Sequence, residues 1–141
     1  MEVSDVRRRV GETIERAKRA AAEHRVRVEE ATRDYAVFLD QLAVPLFRQV
    51  ANVLKIQGYP FTVFTPSGSV RLMSDKSSDD YIELFLDTAV QDPVVMGHAS
   101  RGRGRRVVES EHPLGSGAVR DLTEEDVLSF VMKELAPLVD R

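Results

Sequence analysis

The chain contains no cysteine and no tryptophan. Without thiols there is no disulfide, no thiolate zinc site and no cysteine nucleophile. Aromatic residues make up only 6% of the 141 residues, so a core has to be built mainly from aliphatic side chains. No apolar run approaches the roughly 20 residues that a membrane-spanning helix needs. Residues 1–9 end in three consecutive arginines with no apolar stretch behind them. A secretory leader needs that stretch, so a cytoplasmic protein is expected. Catalytic and cofactor signatures are also missing. No serine lies in a nucleophile elbow, no HExxH spacing occurs, and the arginine–glycine segment lacks the strand-then-helix setting of a phosphate loop. The glycine-rich stretch at 113–118 runs towards a helix N-terminus whose Asp121, Glu124, Glu125 and Asp126 would repel a phosphate. No cofactor and no metal are expected.

What remains is 43% hydrophobic and 30% charged, the balance of one soluble domain. The formal net charge of −3 conceals four blocks. Residues 1–57 hold 11 basic against 9 acidic side chains, and residues 58–100 hold 2 against 6. Residues 101–120 hold 5 against 2, and residues 121–141 hold 2 against 6. A general nucleic-acid binder is typically basic throughout, and this chain is not.

The first segment carries a heptad. Val10, Ile14, Ala17, Ala21, His24, Val28, Ala31, Tyr35, Phe38 and Leu42 follow an alternating spacing of four and three, which places them on one stripe of a helix and predicts a coiled-coil seam. Glu12 and Arg16, Glu15 and Arg19, Glu23 and Arg27, and Glu29 and Arg33 stand four apart, each pair adding about 0.2–0.5 kcal/mol to the helix. At 1.5 Å per residue the stretch from Val10 to Leu42 is about 50 Å long, whereas a globule of this size has a radius of gyration of about 14 Å. The helix must therefore overhang. The bulky seam residues Tyr35, Phe38 and Leu42 imply that residues 31–57 pack on the rest of the chain. Val10, Ile14, Ala17, Ala21, His24 and Val28 are then the candidate self-association residues, most simply for a homodimer whose orientation is undetermined. His24 is read as a polar seam residue rather than a metal ligand. Pro45 marks a kink or a fresh helix start, because proline lacks an N–H and clashes with the preceding turn. Gly58 ends the helical stretch.

From Phe61 the period falls to two. Residues 61–65, 70–73, 81–86, 94–99 and 106–110 read as five strands, and connections this short make neighbouring strands antiparallel. Thr123 is a good N-cap for a closing helix with Val127, Leu128, Val131, Leu135 and Leu138 inward, and Pro137 is expected to end that helix early. The fold class is α+β: residues 1–44 form a long amphipathic helix, and residues 45–141 form a domain of helix, five-stranded meander and C-terminal helix.

The most distinctive chemistry is Arg101, Arg103, Arg105 and Arg106 interleaved with Gly102 and Gly104. Guanidinium forks suit phosphate oxygens, so this loop is the candidate anion or nucleic-acid site. It lacks aromatics for base stacking. The loop at 74–80 is acidic and lies at the same end of a meander, where it competes for the arginines. His98 and Glu109 fall near each other on adjacent strands, as an acid/base pair would, although a structural role is the plainer reading. Together these features favour a non-catalytic homo-oligomeric binding or adaptor protein with a protein partner, ahead of nucleic-acid or phosphate-ligand binding, and no membrane association.

Overall fold

The computed structural model describes residues 1–140. The chain opens with helix α1 (Val3–Phe38), passes through a π-turn (Leu39–Ala43) and continues as α2 (Val44–Ile56). Pro45 falls in the first turn of α2, at the fresh helix start expected of it, with the π-turn directly before. Within the π-turn the Val44 N–H bonds the Leu39 carbonyl, five residues back. The extra residue widens the spiral directly before the proline, relieving the collision between its ring and the carbonyl four residues earlier.

Gly58, with φ +91°, reverses the chain into β1 (Phe61–Phe64), which is followed by β2 (Ser69–Ser74), β3 (Tyr81–Asp87), β4 (Val94–Arg103) and β5 (Arg106–Pro113). The sheet order is β1-β2-β3-β4-β5 with every pairing antiparallel. This is the expected meander, with its last two strands longer than the apolar alternation marked. A 3-10 turn (Val119–Asp121) leads to α3 (Glu124–Val139). Thr123 caps α3 as anticipated: its side chain accepts from the Asp126 N–H at 3.2 Å while the Asp126 carboxylate accepts from the Thr123 N–H at 2.9 Å. Pro137 does not end α3 early. It lies in the last turn, where a single backbone bond is forfeited, and the following Leu138 is buried.

The inward face of the sheet presents Val70, Leu72, Ile82, Leu84 and Val95, all essentially inaccessible, against Phe47 of α2 and Val127 and Val131 of α3. Complete burial of one such side chain contributes about 1.5–3 kcal/mol. Ala31, Tyr35 and Phe38 bring the C-terminal part of α1 into the same core. The Tyr35 hydroxyl donates to the Gly68 carbonyl at 2.8 Å, tying the helix to the β1–β2 turn. Burial, and secondarily the nearby Glu83 charge, raises the Tyr35 pKa. Leu114, Val119 and Leu122 complete the core from the segment between β5 and α3. No helix among the described residues is long and apolar enough to cross a membrane.

Candidate functional site

Three surfaces carry the candidate residues. The first is the free end of α1. Every residue from 6 to 23 is exposed, and Val10, Ile14, Ala17 and Ala21 line up along that length. Val3, Val6, Val10 and Ile14 remain 74%, 47%, 52% and 46% accessible, so four branched aliphatic side chains stand in water on an unsupported helix. The stripe is continuous with the buried Ala31, Tyr35 and Phe38. His24 and Val28, on the same stripe, are half-buried instead. The His24 ring lies between the Gln91 and Thr88 carbonyls, 3.2 Å from one and 3.1 Å from the other. Arg27 Nε donates to the Gln91 carbonyl at 3.3 Å, and its guanidinium lies 3.6 Å from the Asp92 carboxylate. The β3–β4 connection therefore occupies the seam from His24 onward.

The second surface is the arginine segment, and it is not a loop. Arg103 pairs with Arg106 across a tight turn at Gly104 (φ +60°) and Arg105. Arg101 and Arg103 belong to β4 and Arg106 to β5, because cross-strand pairing carries the ladder past the end of the apolar alternation. The last β3–β4 pair is Tyr81 with Ser100, so residues 101–108 extend beyond β3 as a two-stranded ribbon. The acidic loop does meet this ribbon, but at its base and through other groups. Ser100 Oγ donates to the Asp79 carbonyl at 2.7 Å, and the Gly102 N–H donates to an Asp80 carboxylate oxygen at 2.8 Å. Gly102 packs against Asp79, and a Cβ there would stand 3.4 Å from the Asp79 Cβ, in ordinary contact. Among the described residues none of the four guanidinium groups forms an ion pair.

The third surface is the outward face of the sheet, which sequence patterning only half revealed. Register places Arg71 opposite Glu83, Glu83 opposite His98, and Tyr81 opposite both Met73 and Ser100. Arg71 bonds Glu83 at 2.9 Å and stacks over the Tyr81 ring at 4.2 Å. Tyr81 meets His98 edge-on at 5.5 Å, and His98 Nε2 lies 3.4 Å from the Glu109 carboxylate. The expected proximity of His98 and Glu109 is thus real, as a diagonal contact. Partial burial raises the Tyr81 pKa, and the Glu109 and Glu83 charges add to this against the opposing effect of Arg71. Arg71 and Tyr81 were missed as members of this network because nothing local in sequence marks them. Only the β2–β3–β4 register brings them to His98. Glu109 is largely exposed, the Ser100 hydroxyl lies within hydrogen-bonding reach of Tyr81, and polar and stacking contacts run across β2, β3, β4 and β5.

Of the concave regions, the groove between α1 and residues 113–120 mixes Arg27 and Arg120 with Glu30, Asp34 and Asp92, a lining that favours no single charge on a ligand. No group of three metal-ligating side chains occurs among the described residues. The α3 N-terminus is closed by its own capping box, which leaves no anion seat beside the glycines at 115 and 117. No protein-family model, no curated protein and no solved structure matches this chain.

Proposed function

We propose that this protein is a non-catalytic, cytoplasmic homodimeric binding protein that self-associates through the free end of α1 and offers its sheet domain to another macromolecule. One observation carries the reading. A stripe of Ala21, Ala17, Ile14, Val10 and Val3, with Arg7 among them, runs on from the core side of α1 for about 27 Å with nothing among the described residues to cover it. Soluble monomers rarely expose contiguous apolar surface of this kind. Burying those side chains against a second helix offsets the entropy of association, as in other helix pairs. Sedimentation velocity on the full chain is expected to give a dimer, and Ile14→Glu is expected to give a folded monomer with unchanged far-ultraviolet dichroism. A wild-type protein that stays monomeric at tens of micromolar would overturn the reading.

A second reading is favoured by the ribbon of Arg101, Arg103, Arg105 and Arg106. Two-stranded ribbons are of a size to enter a nucleic-acid groove, and guanidinium groups with no ion pair among the described residues are available to phosphate. Binding to duplex DNA should then weaken steeply with salt. Replacing all four arginines by alanine should reduce the log–log slope by about 0.9 for each phosphate that is no longer neutralised. Affinity indifferent to that replacement would refute it.

A further inference from the structure

We infer that the two arms pair antiparallel, with a two-fold axis passing beside residues 11–13, so that the sheet domains lie at opposite ends of the pair. The inference rests on the self-association reading above and adds what the sequence leaves open, namely the direction of pairing.

The β3–β4 connection decides the direction. It covers the seam at His24, and the flanking Arg27, through Thr88, Gln91 and Asp92, and α1 runs unbroken from Val3 to Phe38. In a parallel pair the partner's own residues beyond 24 would have to fill the space this connection occupies. An uninterrupted helix has no joint at which to turn aside. In an antiparallel pair the partner's helix arrives with its N-terminus, which ends where the connection begins.

Placing residue 10 opposite residue 14 of the partner uses the whole free length. Val3 then faces Ala21 of the partner subunit, Arg7 faces the partner's Ala17, and Val10 faces the partner's Ile14, each layer occurring twice. Val3 and Arg7 each meet an alanine, the Arg7 stem crossing it while its head reaches water, and the central layers pair Val10 with Ile14. On the two flanks Val6 meets Ala20, Ser4 meets Lys18, and Thr13 and Gly11 each meet their own copies. No like charges oppose one another. The charged residues Asp5, Arg8, Arg9, Glu12, Glu15, Arg16, Arg19 and Glu23 all fall on the outer side of the helix, where Arg8 already lies 3.5 Å from Asp5 and 3.6 Å from Glu12. Gly11 also acquires a reason. A glycine inside an exposed helix costs about 1 kcal/mol relative to alanine, and a Cβ there would touch nothing within the monomer. Beside the two-fold axis its missing side chain lets the backbones approach.

The absence of native cysteine makes disulfide mapping on the full chain direct. Val3→Cys and Ala21→Cys are both placed at exposed positions. Under mild oxidation a mixture of the two proteins is expected to give a covalent dimer containing one of each. Ala21→Cys alone is expected to give none, because its two copies lie about 27 Å apart along the axis and a disulfide needs Cα atoms within about 7 Å. Cross-linking of Ala21→Cys with itself, together with none in the mixture, would establish parallel pairing and sink this inference while leaving the dimer standing. A wild-type monomer in sedimentation would remove both. A dimer that persists in Ile14→Glu and cross-links at neither position would place the interface elsewhere and refute both as well.

Discussion

Gly97 tests the packing of the sheet against α3. On the inward face of β4 it lies directly beneath the Phe130 ring. A Cβ added there would meet Phe130 Cζ at 2.4 Å and Cε1 at 2.5 Å. Carbon atoms in contact prefer about 3.5–4.0 Å, so in Gly97→Ala the ring has to withdraw by about 1 Å or the helix has to lift. Overpacking of this size costs about 1–3 kcal/mol. Removing a glycine from the unfolded chain returns about 0.4–1 kcal/mol, leaving a net loss of about 1–2 kcal/mol. Urea unfolding should report that loss in the midpoint with the m-value unchanged, and the melting temperature should fall by about 3–6 °C. The decisive variant is Gly97→Ala with Phe130→Leu. Without the ring, the alanine penalty should largely vanish, giving a coupling of about 1 kcal/mol or more in the double-mutant cycle. If Gly97→Ala is as stable as the parent, or equally harmful with Leu at 130, the packing argument is wrong.

Tyr35→Phe should cost about 1–2 kcal/mol, because the Gly68 carbonyl loses its donor. The same substitution carries a pH signature. The folded-state pKa of Tyr35 lies above its ordinary value of 10.0, so the neutral hydroxyl is favoured in the fold. Its contribution is complete below pH 10 and is lost as pH rises further. Melting curves from about pH 8 to pH 11.5 should therefore fall less steeply in Tyr35→Phe than in the parent, and parallel curves would contradict this. Thr123→Ala removes the acceptor for the Asp126 N–H and should lower stability by about 1 kcal/mol, read from chemical denaturation. Leu114→Ala empties a site that is 3% accessible and should cost about 2–5 kcal/mol. A value near zero would mean that the segment after β5 is not part of the cooperative core.

The order of helix, five-strand meander and helix is legible in the sequence because each element announces itself within a few residues. The heptad from Val10 to Leu42, the alternation of Ile82, Leu84 and Leu86, and the Thr123 cap are all local patterns. Side-chain size along one stripe also marks where the long helix enters the core, at Ala31, but not that His24 and Val28 before it are already half-buried. Contacts between distant segments are another matter. That a π-turn stands directly before Pro45 is signalled by no local pattern. That Arg101, Arg103 and Arg106 belong to strands depends on β4–β5 pairing, which glycines and arginines do not signal. Arg71, Tyr81 and His98 meet only through the register of three strands, and His24 is held by carbonyls more than 60 residues away. Periodicity reports which face of an element is apolar. Only the tertiary structure decides what that face touches, because that depends on chain segments the local pattern does not contain.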